Sequence, residues 1–216
     1  MGTIAQYDLQ GNLLNTILSS GRNVYRHISH IGGDWFLVQA TNATALATYV
    51  VLYQASGKVW NAVKILVTLP SSYSPQGICW VDNCFYTLFS LSSLPPKVYL
   101  SRHTPDGAFM FTLDTGNFQL VGLSFDGNQL YTIDGSTNPD KLNKIDIKNG
   151  SNITLIDTGV SCPADGLSEI FFHDGCLCVS GGATLYQFYP DGGIGKTISL
   201  TSKGICIVGD FIYVCN

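Results

Sequence analysis

The sequence predicts an all-β chain folded as a five-bladed β-propeller, four antiparallel strands to a blade, and three observations predict it. Charged residues make up only 12% of the 216 positions, aromatic residues another 12%, and glycine occurs 23 times. That composition belongs to many short strands joined by tight turns, not to helices held by charge pairs. Two kinds of hairpin motif alternate along the chain, five copies of each, which is the signature of a repeat architecture. The chain also opens and ends on half a unit, so its two ends can complete one blade together.

The first motif is a strand, a polar turn closing on glycine, and a second strand. It runs over Tyr7 to Asn12, Tyr53 to Lys58, His103 to Gly107, Ile147 to Ser151 and Tyr189 to Gly192, and its glycines (Gly11, Gly57, Gly107, Gly150 and Gly192) stand 42 to 50 residues apart. The second motif is a short apolar strand, a turn of Gly, Asp or Asn, and a strand rich in aromatic and β-branched residues. It covers Ile28 to Val38, Ile78 to Leu88, Leu123 to Ile133, Ile170 to Val179 and Ile205 to Val214. The turn residues Gly33-Asp34, Asp82-Asn83, Asp126-Gly127, Asp174-Gly175 and Gly209-Asp210 are those that tolerate the positive φ of hairpin turns.

Ahead of these turns the sequence nearly repeats itself as Gly77-Ile78-Cys79, Gly122-Leu123-Ser124, Gly166-Leu167-Ser168 and Gly204-Ile205-Cys206, with His27-Ile28-Ser29 as a divergent copy. Small residues at Ser29, Cys79, Ser124, Ser168 and Cys206 suit an innermost strand, where five blades crowd one axis. With strands lettered a to d outward, hairpin c-d opens the chain at Ile4 to Ile17 and hairpin a-b ends it at Gly204 to Val214. Twenty strands in one domain over residues 1–216 follow. One local alternative is a helix beginning at Ala43, Ala45, Leu46 and Ala47, inserted between strands b and c of the first full blade.

This order of motifs, a glycine-led inner strand, a hairpin, then a strand ending in an Asp-x-Gly-like turn, resembles the NHL and SMP-30/gluconolactonase-like propellers over nearly the whole chain. The resemblance implies the fold. Those families more often have six blades, and the metal-binding carboxylates of the lactonase branch have no clear counterpart here, so it implies no activity.

Several classes fall away on composition. With 11 Lys+Arg against 15 Asp+Glu and a net charge of −4, no basic stripe exists to neutralise a phosphate backbone, and nucleic acid is not expected as a partner. No apolar run approaches the roughly 18–20 residues of a membrane span, and Met1-Gly2-Thr3-Ile4 enters a strand pattern where a signal peptide would be basic then apolar. The seven cysteines are an odd number in a chain too large to need staples, which reads as free, buried thiols. Sequons at Asn42, Asn149 and Asn152 are as frequent as chance gives and do not establish secretion. Low charge and many aromatics suit an exterior setting such as a cell surface or a virion. The oligomeric state is not encoded in any of these patterns.

Chemical motifs are near misses. Pro190 to Thr197 has proline where a phosphate-binding loop needs glycine, and Ile198-Ser199-Leu200 reads as strand where that loop needs a helix. Gly122 to Asp126 lacks the second glycine of a serine-hydrolase elbow. Cys176 and Cys178 share a strand face near His173 but have no further ligands at metal-binding spacing. No metal, cofactor or catalytic residue is assigned. Two inner-strand residues stand out instead: Glu169, the only glutamate, and His27, which replaces the glycine of the other copies. A glycosidase on such a ring needs two or three converging carboxylates, whereas Trp80, Phe125 and Ile207 are expected at the places corresponding to Glu169. A hydrolase or lactonase-like enzyme using Glu169 is therefore an alternative, and a glycan-binding lectin another. The main expectation is a non-enzymatic binding or interaction module with a protein or glycan partner. Its contact surface is the face gathering the b-c loops, residues 39–48, 89–97, 134–143 and 180–184. These supply Thr41, Asn42, Ser92, Ser93, Asp134, Ser136, Asn138, Asp140 and Gly182, with His27 and Glu169 at the central funnel.

Overall fold

Each inner hairpin of the sequence pattern pairs with the outer hairpin that follows it, giving five four-stranded antiparallel sheets around an axis in the computed structural model. The structure describes residues 2–18, 23–42, 44–45, 47–56, 59–70, 72–93, 96–116, 119–148, 152–162, 166–181, 183–189, 193–200, 202 and 204–215. In chain order, β1 (Thr3–Asp8) and β2 (Leu13–Leu18) are the outer half of the closing blade. Blade 1 is β3 (Asn23–Gly32), β4 (Trp35–Asn42), β5 (Ala47–Ser56) and β6 (Val59–Pro70). Blade 2 is β7 (Tyr73–Val81), β8 (Cys84–Leu91), β9 (Lys97–His103) and β10 (Phe109–Asp114). Blade 3 is β11 (Leu120–Phe125), β12 (Leu130–Asp134), β13 (Lys141–Lys148) and β14 (Asn152–Ser161). Blade 4 is β15 (Leu167–His173), β16 (Cys176–Gly181), β17 (Thr184–Phe188) and β18 (Ile194–Ser199), and β19 (Gly204–Val208) with β20 (Phe211–Cys215) completes the closing blade. There β20 pairs with β1, Ile4 opposite Cys215 and Asp8 opposite Phe211, and this ladder between the two ends of the chain locks the ring.

The helix alternative at Ala43 to Tyr53 is not what forms from Ala47 on, while Ala43 and Leu46 lie outside the described residues. Thr48-Tyr49-Val50-Val51 is a β-branched and aromatic run, and β5 pairs along its length with β4 and β6. The b-c loops are accordingly shorter than expected, because β4 continues through Thr41 and Asn42 and β12 through Asp134. In the hairpin turn of blade 2, Asp82 (φ 40°) and Asn83 (φ 62°) both adopt the left-handed backbone their residue types tolerate. The core lies in the seams between blades, where residues such as Phe36, Val38, Leu88, Leu100, Ile133, Leu177 and Ile212 are almost fully buried. All seven cysteines are free and buried among them.

One alignment is corrected by the ladders. Across each inner hairpin His27 pairs with Gln39, Gly77 with Leu88, Glu169 with Ser180 and Gly204 with Cys215. A Cβ placed on Gly77 would meet the carbonyl carbon of Gly122, and one on Gly122 would meet the carbonyl carbon of Glu169. The innermost level is therefore His27, Gly77, Gly122, Glu169 and Gly204, so blade 4 enters as Glu169-Ile170-Phe171 and not as Gly166-Leu167-Ser168. Two residues on, the small layer Ser29, Cys79, Ser124 and Cys206 meets Phe171, not Ser168. Its cross-strand partner is the small Cys178, where the other blades place Leu37, Tyr86, Tyr131 and Tyr213. Large and small have exchanged strands, which preserves the volume of the layer.

Candidate functional site

The corrected level places the two polar inner-strand residues together. Three of its five positions are glycine, and the close approach of strands requires them: a Cβ on Gly204 would collide with the carbonyl of Arg26 and with Cα of His27. The space left over the axis takes the side chains of His27 and Glu169. Their blades are not neighbours, since the closing blade stands between them, yet His27 Nδ1 lies 2.6 Å from Glu169 Oε2. The pair links two non-adjacent blades at the axial level.

Its chemistry follows from burial. Glu169 is 2% exposed and His27 5%. Desolvation raises the Glu169 carboxyl above its ordinary range, while the charge and hydrogen bond of His27 and the backbone N–H groups of Ile170 and Leu123 pull it back. The Ile170 N–H donates to Oε1 at 3.1 Å. Backbone N–H groups from two blades and the His27 imidazole of a third thus meet the carboxyl group. The thiols of Cys79 and Cys206 are pushed well above their ordinary value by burial, with the Glu169 charge adding to it. They are packing residues, not nucleophiles.

Two cavities with no lining residue in common lie along the inner strands, one on either side of the axial level. Below it lies one of about 200 Å³ lined by the second halves of the inner strands, including Ser29, Cys79, Ser124, Phe171 and Ile207. Above it, on the face of the b-c loops, lies a funnel of about 400 Å³ whose walls are Arg26, His27, Thr41, Ser74, Pro75, Gln76, Val121, Leu167 and Ser168. A side cavity of about 460 Å³ opens off it towards Ser92, Pro96 and Asp140, sharing Gln76, Val121 and Leu167 as common wall.

The funnel walls have a common origin. Just before the axial level the inner ladders lose register, between Tyr25 and His27, between Pro75 and Gly77, between Leu167 and Glu169, and from Val121 to Ser124. The first three are β-bulges, which leave Arg26, Gln76 and Ser168 without a cross-strand partner and re-aim their side chains, whereas in the fourth Gly122 and Leu123 are skipped and Val121 stays paired with Ile133. The residues directly before the axial level are Arg26, Gln76, Val121 and Ser168, and all four line the funnel. Sequence reasoning missed them. The usable signal was their position immediately ahead of the repeated glycine or its replacement, where the copies differ most.

Of the expected binding residues, the structure brings Thr41 and His27 to the funnel and Ser92 and Asp140 to the side cavity. Asp140 is buried and its Oδ2 accepts the Leu167 N–H at 3.0 Å, so it fixes the blade 3 to blade 4 seam. Glu169 lies beneath the floor and is not part of the funnel wall. The other described ones are outside both cavities. Asn42 donates to Asn23 Oδ1 and accepts the N–H groups of Thr44 and Ala45, capping its own loop. Asp134 accepts the N–H and hydroxyl of Ser136 in a local turn. Ser93 donates its N–H to Leu91, Asn138 is exposed, and Gly182 lies outside the described residues. The residues expected to match Glu169 in other blades, Trp80, Phe125 and Ile207, sit lower, on the walls of the lower cavity.

No protein-family model matches this chain, and no curated protein matches it. Solved structures do. The chain is similar to a glutaminyl cyclase from Myxococcus xanthus, at 15% identity over 83% of this chain and 77% of that one, with a TM-score of 0.57. It is similar to a gluconolactonase from Xanthomonas campestris, at 11% identity over 99% of this chain and 95% of that one, with a TM-score of 0.54. A protein of unknown function from Bacteroides caccae aligns at 9% identity over 92% and 72%, with a TM-score of 0.51. At these identities the likeness is one of fold, and the fold is shared by enzymes of different chemistry.

Proposed function

We propose that this chain is a recognition propeller that binds a polar, sugar-sized ligand without covalent chemistry in the upper axial funnel. The observation that carries the reading is the end of the funnel at the axial level: His27, held by Glu169, forms its floor, while the bulge residues Arg26, Gln76 and Ser168 of three blades, and Val121 of a fourth, line its wall. Gln76, Ser168, Thr41 and Ser74 offer amide and hydroxyl groups, and Pro75, Val121 and Leu167 offer apolar surface, the mixture that fixes a small polar ligand. Glu169 does not support a glycosidase: Oε2 is taken by His27, Oε1 by the Ile170 N–H, and no second carboxylate stands at its level. The likeness of repeat order to NHL and SMP-30-like propellers bears on the construction of the ring and lends no activity to this site.

A glycan-array assay on the purified chain tests the reading, alongside Ser168→Trp, which fills the funnel from a wall position. The expected result is binding of one sugar class that Ser168→Trp abolishes at unchanged thermal stability. Binding that survives the bulky residue would move the ligand elsewhere. A protein partner is a second reading, favoured by the exposed apolar residues Val63 and Ile65 on β6 and Phe109 and Met110 on β10. These outer strands approach each other where Lys64 Nζ donates to the Asp106 carbonyl at 3.2 Å.

A further inference from the structure

Resting on that reading of the funnel, we infer that its ligand is an acidic sugar whose carboxylate is held by Arg26. Arg26 is the bulge residue of β3, set between Tyr25 and His27 where the ladder slips, so its side chain leaves the sheet and joins the funnel wall. It is half-buried and makes no ion pair or side-chain hydrogen bond among the described residues. That is unusual company for a guanidinium, whose five donors match a carboxylate two at a time. Two exposed lysines elsewhere are ion-paired, by contrast: Lys97 with Asp114 at 2.7 Å and Lys141 with Asp157 at 2.8 Å.

The rest of the site fits the same ligand. No described wall residue of the funnel is acidic. The one carboxylate of the adjoining side cavity, Asp140, is turned to the Leu167 N–H. Glu169 is buried against His27 and is not among the wall residues of the funnel. In a chain of net charge −4, the described wall of the upper funnel thus carries the cation Arg26 and no carboxylate, an arrangement that draws an anion. The amide of Gln76 and the hydroxyls of Ser168 and Thr41 around Arg26 suit ring hydroxyls, and Gln76 is held in place by donating to Ser90 Oγ at 2.8 Å. In sequence the residue ahead of Gly204, the fifth copy of this position, is Lys203, which lies outside the described residues.

The test uses matched probes: glucuronate with glucose, galacturonate with galactose, and sialylated with unsialylated lactose, titrated calorimetrically against the full chain, Arg26→Gln, Arg26→Lys and the rim control Lys64→Gln. The inference expects at least one acidic member to bind tenfold or more tightly than its neutral parent, the advantage of a charge-assisted hydrogen bond. Arg26→Gln should remove that advantage, Arg26→Lys should keep part of it, and Lys64→Gln should leave it intact. Equal binding of acidic and neutral members overturns the carboxylate assignment and leaves the funnel standing. Acidic preference that survives Arg26→Gln overturns the role of Arg26. Binding of no probe by the wild-type chain overturns the funnel reading and this inference together.

Discussion

Replacing His27 with alanine tests the axial plug most severely. The substitution leaves Glu169, 2% exposed, without the imidazole 2.6 Å away that partners it. Removing one member of a buried pair costs about 3–5 kcal/mol, and in a chain of this size each kcal/mol lowers Tm by roughly 2–4 °C. His27→Ala should therefore melt at least about 6 °C below wild type. The loss must also depend on pH, with a sign set by Glu169. Burial holds its carboxyl above the ordinary 4.5, so between that value and its folded value the folded chain keeps a proton that the unfolded chain has released. Stability contributed by this group falls as pH rises through that window. Deleting His27 removes two of the four interactions that pull the carboxyl down, leaving the Ile170 and Leu123 N–H groups, so the window extends upward and the penalty grows from acid towards neutral pH. Urea unfolding followed by the fluorescence of Trp35, Trp60 and Trp80 from pH 4.5 to 8 measures it. A penalty under about 1 kcal/mol, or one that stays flat across that range, would refute a buried, paired Glu169.

Three further predictions follow from the ring. Gly122 has φ +67°, and a Cβ there would sit 2.6 Å from the Ile170 backbone nitrogen, so Gly122→Ala should destabilise by roughly 2–4 kcal/mol in the same urea assay. Cys178→Tyr should destabilise strongly, because the large residue of that layer is already Phe171. Phe171→Ser combined with Cys178→Tyr should recover most of the loss, and an additive double mutant would contradict the exchange of volumes. The buried thiols should resist modification: native protein should react with Ellman's reagent at few of its seven cysteines, and urea-unfolded protein at all of them. Burial pushes Cys162 and Cys178 up to about 12, which suppresses the reactive thiolate.

Much of this was legible in the sequence. Alternating hairpin motifs with Gly, Asp and Asn at the turns specify the strands, and the half-units at the two ends specify closure by β1 and β20. Glu169 and His27 were visible as the polar residues of inner strands. Their meeting was not, because Gly166-Leu167-Ser168 imitates the repeated triplet three residues too early. The true copy hides its glycine position under Glu169 and its small position under Phe171. Only cross-strand register resolves such a slip, since it depends on which residue of β16 lies opposite. The same limit hid Arg26, Gln76, Val121 and Ser168. A bulge leaves no composition signal, and loop residues such as Asn42, Asp134 and Ser136 looked equally polar although their groups serve their own turns.

Methyl NMR of the isoleucine, leucine and valine residues, recorded with and without the strongest glycan-array hit, tests the central claim most directly. The upper funnel, the lower cavity and the rim carry separate reporters: Val121 and Leu167 above the plug, Ile78 and Ile207 below it, and Val63 and Ile65 on β6. The account predicts shifts at Val121 and Leu167 with the other two sets unmoved. Shifts at Val63 and Ile65, or below the plug, with Val121 and Leu167 unchanged would contradict it.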